Sequence, residues 1–185
     1  MDKYSSQSTP IGQTTEIYTE LFVINGLLTI TSGRTSDVLN RATTDFVTLH
    51  DATITPLGLA PNPKPIENPV MVRRELMNFL AEVSQNKPSV QPVIKAASGG
   101  LAGREAYVHK TTYPCYAISG PFAIYGRCYL HPDTTLENLL QGVDAFFPIT
   151  KATIYVLNRP EITWQRDLVI MNKNLLIAMY LLPQS

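Results

Sequence analysis

"FVINGLL" (Phe22–Leu28) sets an Asn-Gly pair between two apolar runs, and the reading of that pair decides the fold. Taken alone, Asn25-Gly26 is a tight hairpin turn, because both residues tolerate the positive φ that a two-residue type I′ loop demands. A second copy of the stretch changes this. Sliding the chain by 100 positions lays Phe22-x-Ile24-x-Gly26 on Phe122-x-Ile124-x-Gly126. Without a gap it also lays Thr35 on Thr135, Leu39 on Leu139, Phe46 on Phe146 and Ala52-Thr53-Ile54 on Ala152-Thr153-Ile154. A slide of 99 then aligns "MVRRELMNFLAEV" (71–83) with "IMNKNLLIAMYLL" (170–182), apolar mostly on apolar. In the second copy the pair reads Tyr125-Gly126, and a better turn, Ser119-Gly120-Pro121, lies just upstream. Only the glycine is shared. Gly26 and Gly126 are therefore expected inside a strand, where a missing side chain lets the strand bend sharply.

Internal repetition of this kind predicts two tandem domains, 14–83 and 114–185, with a loose tail over 1–13 and a linker over 84–113. The end of that linker, "EAYVHKTTY", can lead into the second domain's first strand. In the second copy "YPCYAI" and "FAIYGRCYL" read as strands one and two, rich in aromatic and β-branched residues. "DTTLENLLQG" reads as a short helix that starts on a capping Asp or Thr and stops at Gly142. "FFPITKATIYVL", "DLVIM" and "LLIAMYLL" read as strands three to five, with Asn172-Lys173-Asn174 as the last turn. "PLGLAPNPKPIENP" and "NRPEITWQRD" read as loops. Small five-stranded units of this length curl into barrels to avoid exposed edges, so the expected architecture is mainly β, two small barrels of SH3-like or Sm-like form. A helical reading competes for the Met- and Leu-rich 168–182 and for "VMVRRELMNFLAEV".

Composition narrows the function. A chain of 185 residues can bury one ordinary core or two small ones, and fifteen basic residues balance fifteen acidic ones. Neutrality gives no electrostatic reason for non-specific nucleic-acid binding. The polar start, "DKYSSQSTPIGQTT", carries no signal- or transit-peptide pattern, and the longest apolar run, Leu175–Leu182, is far short of the ~18 residues that cross a bilayer. A cytoplasmic protein without a membrane partner is expected. Cys115 and Cys128 make no CxxC and have no His at metal-ligand spacing, so they read as buried reduced thiols. No Gly-rich phosphate loop, HExxH, GxSxG or acidic metal cluster occurs, so neither an enzyme nor a cofactor is expected.

The order of motifs resembles the Sm-like family of small RNA-associated barrels, and the duplication is similar to a bacterial tandem version of them. The residues that carry the resemblance are Ile24-x-Gly26-x-Leu28, Asp37 with Asn40, Leu49-His50-Asp51-Ala52, and Val70-Met71-Val72-Arg73-Arg74 before Leu76. The second copy keeps the apolar members but has Glu137 and Leu140 in place of Asp37 and Asn40. The resemblance implies base contact at Asn40, which otherwise reads as a helix C-cap.

Arg73 and Arg74 can grip phosphate or a carboxylate, or form a solvated turn; Arg41 adds a third cation. Trp164, placed in a loop, is a candidate binding anchor or a lid over a barrel end. His50-Asp51 is not a catalytic pair, since neighbours in a strand point to opposite faces.

Three functions follow. The first is an interaction or scaffold protein that self-associates, because "LLIAMYLL" asks for burial on both faces and one barrel interior covers only one. The second is single-stranded RNA or DNA binding by the first copy, against which stand its five basic and eight acidic residues over 14–83. The third is small-molecule or peptide sensing at the seam between copies.

Overall fold

A computed structural model describes residues 11–30, 33–59, 64–83 and 111–183. The first repeat runs β1 (Ile11–Tyr18), β2 (Phe22–Ile30), α1 (Thr35–Arg41), β3 (Phe46–Pro56), β4 (Val70–Arg73), a 3-10 turn (Arg74–Leu76) and β5 (Phe79–Glu82). The second runs β6 (Thr111–Ser119), β7 (Phe122–Leu130), α2 (Leu136–Gln141), β8 (Phe146–Val156), β9 (Arg159–Asn172), a 3-10 turn (Lys173–Leu175) and β10 (Leu176–Leu181). A shift of 100 carries β2 onto β7 and β3 onto β8, and a shift of 99 carries one 3-10 turn onto the other. The protein is mainly β, as the repeat predicted. β1 begins at Ile11, inside the stretch expected as tail, and β6 at Thr111, inside the stretch expected as linker; residues 1–10 and 84–110 lie outside the described residues.

The expected pair of closed barrels is not what the strand pairing gives. All ten strands form one open antiparallel sheet in the order β10-β6-β7-β8-β9-β5-β1-β2-β3-β4. Within each repeat the spatial order is fifth, first, second, third, fourth. A fifth strand could seal its own barrel only by returning to the fourth strand of its own repeat. Instead β5 hydrogen-bonds to β9 of the other repeat, with Phe79↔Met171, Leu80↔Ile170 and Ala81↔Val169 opposed. This leaves β4 and β10 as the two edges of the sheet.

Two further expectations change. "NRPEITWQRD" is not a loop, because β9 runs through it for 14 residues. Ile162, Trp164, Arg166 and Leu168 alternate inward against exposed Glu161, Thr163, Gln165 and Asp167, a period-two pattern that Pro160 disguises. The helical alternative for 168–182 and 70–83 gives way to a strand, a single 3-10 turn and a strand in each repeat. At the second turn the Asn172 side chain accepts from the Asn174 N–H at 3.1 Å, a local bond that ends the strand.

Gly26 and Gly126 do lie inside strands, each opposite a bulge. The β2–β3 register steps from Asn25↔Thr53 to Leu27↔His50, and β7–β8 from Tyr125↔Thr153 to Arg127↔Thr150. The extra residue is carried by Asp51 in one repeat and Lys151 in the other, both at φ 49°. The bulged strand presses on the glycine: a Cβ on Gly126 would sit 2.4 Å from Ile149 Cγ2 and 3.0 Å from the Thr150 carbonyl oxygen. Such a bulge bends and twists the pair, which is how a short strand curves around a small core.

Neither repeat owns its core. Ile17, Leu28, Leu39 and Leu49 of the first repeat pack in one cluster with Phe146 and Ile170 of the second. Tyr18 and Phe79 of the first repeat are built into the other cluster, with Phe122, Ile124 and Ile154.

Candidate interaction edges

At the junction of the two repeats an aromatic cluster packs β5 and β1 against the second repeat. Phe79 on β5 and Tyr18 on β1 stack with centroids 4.4 Å apart, and both meet Phe122 edge-on, at 5.0 and 5.7 Å. Trp164 on β9 closes the cluster at 5.3 Å from Tyr18. T-shaped contacts of this kind add about 0.5–1.5 kcal/mol each beyond simple burial. The backbone continues the ladder: the Asn172 N–H donates to the Asn78 carbonyl at 3.1 Å, and the Asn78 N–H to the Tyr18 carbonyl at 2.8 Å.

Three polar ties fix the junction further. Asn40, in the last turn of α1, donates to the Phe146 carbonyl at 2.8 Å and accepts from the Phe146 N–H at 2.9 Å. Arg166 on β9 forks onto the Glu16 carboxylate on β1, with Nε–Oε2 at 2.7 Å and Nη2–Oε1 at 2.9 Å, both side chains largely buried. The Tyr18 hydroxyl donates to the same carboxylate at 2.7 Å; burial, together with the Glu16 charge, holds this phenol well above its ordinary range. Asn78 donates to Ser119 Oγ at 3.0 Å, and that hydroxyl donates to the Leu175 carbonyl at 3.0 Å.

The residues singled out from sequence fall mostly in or beside this junction. Asn40 is its amide clamp. Arg74 donates to the carbonyls of Ala42 and Thr44, both at 3.1 Å, and of Leu39, and its guanidinium lies 5.5 Å from the Phe146 ring centroid. Its counterpart Lys173 donates to the Gly142 carbonyl, so the basic residue of each 3-10 turn secures the end of its repeat's helix. Arg73 is exposed, 2.6 Å from Glu75 and 5.4 Å from the Phe46 ring centroid. Arg41 is exposed at the end of α1, and Trp164 is a half-buried strand residue rather than a loop anchor. The candidates do not converge on one concave basic surface.

His50 and Asp51 are both exposed at the bulge. Cys115 and Cys128 are free, fully buried and diagonal across β6 and β7. The hydrogen bond to Cys128, with burial, holds the Cys115 thiol above the usual range. Among the described residues no group of three or more His, Cys, Asp or Glu could hold a metal ion, and no helix is long and apolar enough to cross a membrane.

What sequence reasoning missed is the outer face of β4. Beside it lies a mainly apolar groove of about 550 Å³ lined by Phe22, Ile24, Ile54, Val70, Met71 and Leu76, among others. Phe22, Ile54 and Met71 are exposed by 40%, 39% and 63%, whereas their repeat equivalents Phe122, Ile154 and Ile170 are all at 0%. The difference has a cause: β5 and Tyr18 cover the second repeat's copy of this surface, and nothing among the described residues covers the first. At the opposite end of the sheet β10 leaves Ile177 and Tyr180 exposed by 69% and 49%. No family model, curated protein or solved structure matches the chain, so the role of these edges has to be drawn from their own geometry.

Proposed function

We propose that the chain is a non-enzymatic interaction or scaffold protein that associates with further copies of itself through its sheet edges. One observation carries this reading. The fold joins the fifth strand of one repeat to the fourth strand of the other, and among the described residues leaves one fourth strand and one fifth strand with no partner on their outer side. In this reading each repeat is a small Sm-like barrel with an open seam that a neighbour's strand fills. Unpaired, apolar strand edges are templates for further pairing, and monomeric proteins blunt them with charges, prolines or bulges. β4 presents Val70, Met71 and Val72 before its first charge, and β10 has no charge at all.

Single-stranded nucleic acid draws less support, since Asn40 and Arg74 are already engaged with Phe146 and with the end of α1, and Arg73 with Glu75. Size-exclusion chromatography with light scattering on the full chain tests the proposal. More than one copy per particle is expected at micromolar concentration. Met71→Lys, at an exposed position, should move the particle toward a single copy. A wild-type chain that stays a single copy up to tens of micromolar would refute it.

A further inference from the structure

We infer that the contact is head to tail: β10 of one copy pairs antiparallel with β4 of the next, with Ala178 opposite Val72, Met179 opposite Met71 and Tyr180 opposite Val70. This rests on the self-association just proposed and adds its partner strand, direction and register. The register comes from the chain itself. A shift of 99 converts β5 into β10 and β9 into β4, so the observed pairs Phe79↔Met171, Leu80↔Ile170 and Ala81↔Val169 become the three pairs named. The same shift turns the Asn172-to-Asn78 backbone bond into one from the Arg73 N–H of one copy to the Ile177 carbonyl of its neighbour.

Side chains at the two edges suit this contact. In the internal junction a large Phe79 is followed on its strand by a small Ala81; on β10 the order is reversed, Ala178 then Tyr180. Tyr180 sits against Tyr116, centroids 5.5 Å apart, and Tyr116 stands where Glu16 stands in the first repeat. The volume that Ala178 lacks relative to Phe79 is thus returned by two aromatic rings beside it. Met71 and Met179, opposed in this register, are unbranched and adapt to the space left between them.

The side-chain ties that Glu16, Asn40 and Asn78 make in the internal junction are missing from the outer edge. Glu16, Asn40 and Asn78 are replaced by Tyr116, Leu140 and Ile177. The internal seam is specified by buried hydrogen bonds and an ion pair, and the outer one by apolar burial. The contact between copies should therefore withstand salt that screens ion pairs. It is also heterologous: the offering edge and the accepting edge differ, so each added copy presents a fresh pair until the last edge meets the first.

The test mixes two variants of the full chain, Met71→Cys and Met179→Cys, each adding one cysteine to the buried Cys115 and Cys128, under mild oxidation, and reads disulfide-linked dimers on a non-reducing gel. Met71 is exposed, and Met179 is partly buried against the core of its repeat, so circular dichroism confirms that both variants fold before mixing. The expected result is a linked dimer in the mixture and none from either variant alone. Met71→Cys mixed with Tyr180→Cys, which points the thiol to the other face, should give at least about tenfold less. Linkage of Met71→Cys to itself, or an equal yield with Tyr180→Cys, would overturn the inference. If light scattering shows a single copy, the self-association reading itself has failed. If it shows several copies but the mixture does not link, self-association stands and this register falls.

Discussion

Replacing Gly126 by Ala probes the reading of the glycine as a bend held by its bulge. The backbone at Gly126 is not in the left-handed region, so alanine adopts it freely and would by itself gain about 0.4–1 kcal/mol by restricting the unfolded chain. Against that stands the new methyl, 2.4 Å from Ile149 Cγ2. Carbon atoms prefer about 3.5–4.0 Å, so Ile149 or the strand must move by more than ~1 Å. Ile149 is fully buried and β-branched, with few rotamers to retreat into. Overpacking of this kind costs about 1–3 kcal/mol and sometimes more, which leaves a net loss of about 1 kcal/mol or somewhat more.

Urea unfolding followed by circular dichroism should show this as a midpoint lowered by roughly 0.5 M or somewhat more for a slope near 2 kcal/mol per M. Gly26→Ala, whose nearest contacts are at 3.0 Å, should lose less. If the Ile149 methyl is the obstacle, Gly126→Ala combined with Ile149→Ala should be more stable than the sum of the two losses by about 1 kcal/mol or more. A neutral or stabilising Gly126→Ala, or strict additivity with Ile149→Ala, would refute the reasoning.

Other residues of the junction give further expectations. Asn40→Leu, which installs the second repeat's residue in the first, removes both bonds to Phe146 and should cost about 2–4 kcal/mol in the same urea assay. Arg166→Ala leaves the Glu16 carboxylate buried without its guanidinium and should cost about 2–3 kcal/mol, while Arg73→Ala, which breaks an exposed pair, should change stability by less than ~0.5 kcal/mol. Tyr18 keeps its proton in the folded state above the pH, near 10, where the unfolded tyrosine loses it. Its contribution is complete below pH ~10 and declines by up to ~1.4 kcal/mol per pH unit above it. Urea midpoints between pH 9 and 11 should fall less steeply for Tyr18→Phe than for the wild-type chain.

The duplication, the strand sequence of the second repeat and the place of the two glycines were legible because local pattern and repetition agree there. Gly126 without Gly26 would have stayed ambiguous, and Gly26 alone reads as a turn. The closure of each barrel was misread for a physical reason: a fifth strand's hydrogen bonds are satisfied equally by either fourth strand, and which one it meets is set by distant residues. Asn40 and Phe146 are 106 positions apart, and Glu16 and Arg166 are 150 apart. No local pattern announces such a pairing. β9 was cut short because Pro160 and Arg166-Asp167 look like loop residues, although Ile162-x-Trp164 already alternates. Arg74 reads either as a phosphate grip or as a solvated turn because nothing in its neighbourhood discloses that three carbonyls at the end of α1 await it.

The central claim is that β4 and β10 are edges made for each other in different copies. Amide hydrogen exchange, measured on the full chain at low and high concentration, addresses both edges at once. Val70–Arg73 and Leu176–Leu181 should become more protected together as concentration rises, with β7, in the middle of its repeat, unchanged. Equal exchange of both edges at every concentration, or protection of one edge without the other, would contradict it.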